Sequence, residues 1–299
     1  MSVVQPSQPL INPATLHQHL DNRRFELHGR TCVGSELNGS RSTSPEEHEY
    51  AEHNRVINPA PLNPTQRLDW EVEEGTEIYD GSGVTNCGQV RLYLGGAGGP
   101  ASTAAWILTG TVTEGRLGTA LSYAGDVNAD GFDDVIVGEP GHGSGTGRAR
   151  LFLGGASGLP AVHDQVIVGA QVGQRLGSSV AGVGDVNGDG YDDVAIGSSN
   201  YTNGQTMEGR AQVYLGIPGG LGALAAWSRE SNVANAYFGG VMAAAGDVNA
   251  DGYDDLLVRQ NSDGATVPGV LLYLGSGSGP AASAAWSAVV DRKSTRLNS

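Results

Sequence analysis

A nine-residue acidic segment occurs three times in the chain, as Asp126–Asp134, Asp185–Asp193 and Asp247–Asp255. Each copy has Asp at positions one, five, eight and nine, Asn at position three and Gly at position six. A hard divalent cation takes roughly six to eight oxygen ligands, and alternate residues of a tight loop can aim their oxygens at one centre. The spacing therefore predicts three Ca²⁺ loops.

The candidate ligands are the side chains at positions one, three, five and nine and the main-chain carbonyl at position seven. They are Asp126, Asn128, Asp130, Phe132 and Asp134; Asp185, Asn187, Asp189, Tyr191 and Asp193; and Asp247, Asn249, Asp251, Tyr253 and Asp255. The Gly at position six would supply the positive φ of a sharp turn. Mg²⁺ fits less well because it demands a rigid octahedron and retains water. Ordinary hairpin turns also use Asp, Asn and Gly, but they need no carboxylate at position nine.

Short apolar runs follow each loop and show what the loops connect. Position twelve is Val137, Ile196 or Val258, where an EF-hand would carry a bidentate Glu between two helices. Short runs of this kind between turn signals are typical of buried strands. We therefore expect each metal loop to join one strand to the next.

A repeat of about 60 residues surrounds the loops. Gly-ended segments recur as Leu92–Gly95, Leu151–Gly154, Val213–Gly216 and Leu272–Gly275, and in the first three the Leu before the Gly lies 32 residues ahead of an acidic loop. Each unit holds four strand candidates, such as 117–124, 134–138 and 148–153 together with a strand around Trp106, Trp227 or Trp286. Four short antiparallel strands per unit predict an all-β protein built of β-propeller blades. The tryptophans lie 12 positions after the Leu, where Gln165 stands in the remaining unit, and we expect them to pack between blades.

The units resemble FG-GAP repeats, the blades of the integrin alpha-subunit propeller and of many bacterial surface proteins. Phe238-Gly239 matches the Phe-Gly element, with Leu117-Gly118 and Leu176-Gly177 as variants, and Gly138-Glu139-Pro140 is close to the Gly-Ala-Pro element. The later units depart there, with Gly197-Ser198-Ser199 and Val258-Arg259-Gln260. The resemblance implies structural Ca²⁺, a partner bound on a face of the propeller and an extracellular or cell-surface location.

The resemblance covers about residues 69–290 and gives the expected domain limits. We expect a partial blade at 69–116 and units at 117–175, 176–237 and 238–290, which is about three and a half blades of an incomplete propeller.

Residues 291–299 match the translation of a common short-read sequencing adapter, so we interpret them as an artefact and the chain as a fragment of a protein with further blades. Residues 1–68 lack periodicity and are expected to be irregular, with an unknown role. They contain no signal peptide as written, and the spacing of Cys32 and Cys87 does not settle whether the two pair.

Composition narrows the classes of function. The chain has 299 residues, 47 of them Gly, and a net charge of -15, with 12 of its 32 acidic residues in the three loops. An acidic chain without a basic run is unsuited to binding nucleic acid, and no apolar stretch is long enough to insert into a membrane.

The leading interpretation of the function is a non-enzymatic adhesion module for a protein or glycan. The alternatives are a domain of a secreted hydrolase or lyase and a purely structural repeat protein. Hydrolase elbow, zinc-protease and nucleotide-loop motifs are absent.

Overall fold

The computed structural model describes residues 83–95, 101–261 and 269–289, together with the backbone of two earlier strands. These residues form four antiparallel sheets of four strands. The first two sheets contain β1 (His53–Ile57), β2 (Leu68–Glu73), β3 (Gln89–Leu94) and β4 (Trp106–Thr109), and then β5 (Leu121–Gly125), β6 (Asp134–Glu139), β7 (Arg148–Phe152) and β8 (Gln165–Val168). The third and fourth contain β9 (Leu176–Gly184), β10 (Asp193–Ser198), β11 (Arg210–Tyr214) and β14 (Trp227–Glu230), and then β15 (Val241–Gly246), β16 (Asp255–Arg259), β17 (Val270–Tyr273) and β18 (Trp286–Ala288). A small hairpin, β12 (Gly216–Ile217) with β13 (Gly220–Leu221), and a helical turn, His142–Gly145, complete the elements.

The first sheet begins earlier than the sequence indicates. Strand β1 lies inside the segment 1–68 that was expected to be irregular, and it pairs with β2 from His53 opposite Glu73 to Ile57 opposite Asp69. The expected partial blade at 69–116 is therefore completed to four strands by a strand that precedes residue 69. The sequence His-Asn-Arg-Val-Ile has no alternation of apolar and polar residues, so only its pairing partner identifies it as a strand. The adapter-like residues 291–299 and Cys32 lie outside the described residues, and Cys87 is buried.

The hydrophobic core lies between consecutive sheets. Strands β6 and β10 are buried along their whole length, because each is covered on both faces by the neighbouring sheets. Between the second and third sheets, Ile136 and Leu151 of one pack with Val194 and Ile196 of the other. The leading strands β5, β9 and β15 lie side by side, with β9 in the middle. This arrangement explains the short apolar runs, since a strand covered on both faces needs no polar alternation.

Paired glycines allow consecutive sheets to approach closely. A Cβ on Gly138, at the end of β6, would lie 2.0 Å from the carbonyl oxygen of Gly177 in the next sheet. The same contact recurs one unit later between Gly197 and the carbonyl of Gly239, again at 2.0 Å. These are the glycines of the two signature elements in the sequence, which therefore mark one contact between neighbouring sheets.

The outer strands are joined by the Trp and Gln positions identified in the sequence. The indole Nε1 of Trp106 donates to the carbonyl of Pro160, and that of Trp227 donates to the carbonyl of Ala281, each at 2.9 Å and each in the next unit. Gln165 makes the equivalent link by exchanging two hydrogen bonds of 2.9 Å with the main chain of Leu221. The Trp227 ring also meets Tyr273 edge to face at 5.0 Å. The expected packing between units is therefore confirmed for Trp106 and Trp227, whereas Trp286, in the last described sheet, is exposed.

Candidate metal centres and the links between them

The three acidic loops have the same geometry and connect β5 to β6, β9 to β10 and β15 to β16. The position-six glycines have φ of 88°, 90° and 91°, which confirms the expected left-handed turn. In the first loop the carboxylate of Asp126 accepts from the amides of Asp130 at 3.0 Å and Gly131 at 2.8 Å. The Asn128 side-chain oxygen accepts from the Asp130 amide at 3.0 Å, and Asp130 Oδ1 accepts from the Phe132 amide at 3.0 Å. The side-chain oxygens of positions one, three and five are thus all turned into the loop.

The carboxylate at position nine is fully buried in every loop. Asp134 accepts from the amide of Val127 at 2.9 Å through Oδ2 and from that of Gly154 at 2.8 Å through Oδ1. The bonds repeat with the same lengths in the other loops. They join Asp193 to Val186 and Gly216, and Asp255 to Val248 and Gly275. This residue therefore ties position two of its loop to the Gly that ends the third strand, a role that sequence analysis did not identify.

Burial changes the protonation of these carboxyl groups. Desolvation raises the pKa of Asp134 and of Asp193 to about 7, against the lowering effect of the two amide bonds that each accepts. The pKa of Asp255 is raised for the same reason. Nearby carboxylates at positions one and five add to the effect in all three loops. A bound cation would favour the ionised form and oppose this shift.

The raised pKa values predict how the stability of the calcium-free protein depends on pH. Between about pH 4 and pH 7 the folded state holds protons that the unfolded state has released, so the free energy of unfolding should fall as pH rises through that window. Added Ca²⁺ binds the ionised form, so the stabilisation it adds should grow over the same window. Denaturant unfolding at about pH 5.5, 6.5 and 7.5, with and without Ca²⁺, measures both trends. A calcium-free stability that rises across this window would contradict the prediction.

The donor chemistry of each loop fits a hard divalent cation, with three carboxylates, an amide oxygen and a main-chain carbonyl within nine residues. Among the residues that the structure describes, however, no group of three or more carboxylate, imidazole or thiol side chains is arranged to hold a metal ion. The side-chain oxygens accept instead from main-chain amides of the loop and, at position nine, also from the Gly that ends the third strand. Ligation would use the remaining lone pairs of the same oxygens. The fifteen ligand assignments therefore remain predictions.

The Asp at position eight links one loop to the preceding loop. Asp192 Oδ2 accepts from the amide of Asp126 at 2.9 Å, and Asp254 Oδ2 accepts from that of Asp185 at 3.1 Å. Asp133 has no earlier acidic loop to meet, and it accepts instead from the Tyr123 hydroxyl at 2.8 Å. The sequence pattern assigned no ligand role to position eight. In the structure Asp192 and Asp254 are partly buried and bind the main chain of the first residue of the preceding loop.

Antiparallel four-stranded sheets that pack face to face, with their leading strands side by side, are blades of a β-propeller. The sequence matches the FG-GAP repeat family at residues 118–152 and 176–214, which cover β5 to β7 and β9 to β11. The chain therefore contains FG-GAP repeats, as its signature glycines and loops indicated.

Integrin alpha subunits are among its relatives. The chain is 34% identical to integrin alpha-PS2 of Drosophila melanogaster over 167 residues, which is 53% of this chain and 12% of that protein. It is 39% identical to integrin alpha-IIb of Mus musculus over 118 residues, which is 38% of this chain and 11% of that protein. With integrin alpha-8 of Mus musculus the identity is 35% over 150 residues, or 44% and 13% of the two chains. The matches thus span about an eighth or less of these relatives. None of the helices in the described residues has the length and apolar character needed to cross a membrane.

Proposed function

We propose that this chain is a non-enzymatic adhesion module, in which Ca²⁺ staples the blades and a face of the propeller binds a protein or glycan outside the cytoplasm. The observation that carries the proposal is the threefold repetition of the acidic loop with one hydrogen-bond geometry. An enzyme is expected to have one unit with distinctive polar residues, whereas a scaffold repeats the same residues in each unit. The similarity to integrin alpha subunits supports the extracellular setting.

Bound Ca²⁺ would stabilise the folded protein. Without a cation each loop holds four carboxyl groups within nine residues, and their mutual repulsion opposes folding. A ligand that binds the folded state alone stabilises it by mass action. Because Asp192 and Asp254 connect successive loops, a cation in one loop would also stabilise the main chain of the preceding loop. Three bound Ca²⁺ ions are proposed, one for each loop.

Thermal unfolding of the full chain in millimolar Ca²⁺ and after chelation tests this function. We expect the midpoint to rise by several degrees with Ca²⁺ and much less with Mg²⁺. Asp130, Asp189 and Asp251, changed together to Ala, should remove the rise, because they supply the position-five ligands. The matched control changes Glu114, Asp164 and Glu230 to Ala, which removes the same charge outside the loops and should leave the rise intact. An unchanged midpoint in a folded protein would mean that the loops are acidic turns without a metal.

A further inference from the structure

A polar cavity of about 600 Å³ lies between the second and third sheets. Its walls come from the segment before β5, the connection after β6, the segment that leads into β9 with the start of that strand, and the residue that follows β10. Strand β5 starts near this cavity and runs from it to the acidic loop, so the cavity and the loops lie at opposite ends of the blades. A volume of this size is within the range of small-ligand sites, roughly 300–1,000 Å³.

The lining of the cavity is rich in hydroxyl groups and poor in apolar side chains. It contains five Ser and Thr side chains, three glycines, and no aromatic residue. Only Val112 and Pro140 add apolar side chains. Binding sites for protein partners depend on buried aromatic and large apolar anchors, which this cavity does not offer. Hydroxyl groups are instead suited to the ring hydroxyls of a sugar.

Two arginines give the cavity its charge. Arg116 and Arg175 occupy the same position in consecutive units, directly before Leu117-Gly118 and Leu176-Gly177. Both have left-handed backbone, with φ of 55° and 59°, and their amides are held at 3.0 Å by the carbonyl of Asn86 and at 2.8 Å by that of Gly145. The third unit keeps this backbone with Tyr237, at φ 49°. The conformation is thus shared by three consecutive units, whereas the guanidinium groups belong to this cavity.

The two arginines differ in their neighbours. Arg116 Nη2 lies 3.6 Å from the carboxylate of Glu114, which also accepts from the Asn86 side chain at 2.6 Å. Arg175 has no carboxylate within ion-pair distance among the described residues, although the chain carries a net charge of -15. A guanidinium group binds a planar carboxylate through two parallel hydrogen bonds. Arg175 is therefore the principal anchor for an anion, and Arg116 is partly neutralised by Glu114.

We propose that this cavity binds an acidic sugar, with the carboxylate of a uronic or sialic acid on Arg175 and Arg116 and the ring hydroxyls on the Ser, Thr and Gly lining. This assignment deepens the proposed adhesion function by naming the class of partner, and it rests on that function for its extracellular setting. Glu114 limits the affinity, because its carboxylate competes with the ligand for Arg116.

Calorimetric titration of the full chain with a glucuronate-containing tetrasaccharide tests the assignment. The matched probe is the same tetrasaccharide with its carboxyl groups reduced to alcohols, and it should bind at least about tenfold more weakly, as expected from the loss of a charge-assisted pair. Arg175→Gln should cost about tenfold in affinity, with Arg175→Lys intermediate because it keeps the charge without the planar fork. Glu114→Gln should increase the affinity a few-fold. Arg229→Gln, which removes the same charge outside the cavity, should have no effect.

Three results would overturn the assignment. Equal binding of the reduced probe would show that no carboxylate is recognised, and unchanged binding by Arg175→Gln would place the ligand elsewhere. Binding of a short polyglutamate peptide as tightly as the tetrasaccharide would make the ligand a peptide carboxylate rather than a sugar. If the acidic tetrasaccharide did not bind but Ca²⁺ still raised the unfolding midpoint, the proposal of a Ca²⁺-stabilised adhesion module would stand. If the protein bound the acidic sugar but its unfolding midpoint did not rise with Ca²⁺, only the proposed role of the metal would be contradicted.

Discussion

Gly197→Ala should destabilise the protein by roughly 3 kcal/mol, at the upper end of the cost of overpacking a core. The new methyl group would lie 2.0 Å from the carbonyl oxygen of Gly239 and 3.3 Å from the Met242 side chain. The first of these atoms belongs to the main chain of the adjacent blade, so no rotamer change can relieve the contact. The third and fourth sheets would have to separate at this point, which would open the core around Phe238 and Leu256. Urea unfolding measures the loss.

The control for this substitution is Gly155→Ala. Gly155 has no positive φ, and the nearest atom to an added Cβ is 3.9 Å away. The same change of residue should therefore leave the free energy of unfolding within about 1 kcal/mol of the wild-type value, or raise it slightly by restricting the unfolded chain. If both variants unfolded at the same urea concentration, the glycine contact would not be a constraint between blades.

Asp193→Ala should lower the free energy of unfolding by about 2 kcal/mol even without Ca²⁺. The substitution leaves the buried amides of Val186 and Gly216 without their acceptor, and each unsatisfied buried donor costs roughly 1–3 kcal/mol. Removing a desolvated carboxylate, whose pKa is already raised to about 7, offsets part of that loss. Denaturant unfolding in calcium-free buffer at about pH 7 gives the net value.

Asp189→Ala is the matched comparison within the same loop. Asp189 is exposed, and its carboxylate accepts only from two neighbours in the same loop, the Tyr191 amide at 3.0 Å and the Asn187 side chain at 2.8 Å. The calcium-free stability should therefore change by less than about 0.5 kcal/mol, as for most surface substitutions. In Ca²⁺ both variants should lose the contribution of the second loop. If Asp193→Ala and Asp189→Ala lowered the calcium-free free energy of unfolding equally, the position-nine carboxylate would have no structural role of its own.

Much of the fold could be predicted because it depends on short-range patterns. The strands that leave each loop were expected at 134–138, and β6 occupies Asp134–Glu139, since a β-branched run between turns has few other conformations open to it. The constant offset between Leu94 and Asp126 revealed the repeat, and the fixed position of Trp227 revealed the packing between units. These features are set by local sequence and by repetition.

Features that depend on the neighbouring blade could not be predicted in the same way. Strand β1 has no period of its own, and its identity comes from β2. Nothing near Gly138 indicates that Gly177 will approach it, because Gly177 lies 39 positions further along the chain. The role of Asp192 was also missed, since its acceptor bond is made to the loop before it. Comparison of the three units could have raised this question, because position eight is Asp in all of them.

The position-eight bonds have a consequence for any attempt to graft this architecture. A blade excised on its own would carry the Asp192 acceptor but lose the Asp126 amide, and it would carry the Asp185 amide but lose the Asp254 acceptor. The smallest unit that could be transferred to another protein is therefore a pair of consecutive blades. Such a pair keeps one position-eight bond and one Trp or Gln hydrogen bond between its two blades. The order of the pair also matters, because donor and acceptor sit on opposite sides of each blade. A chimera that reversed two blades would retain every loop and still mismatch every junction.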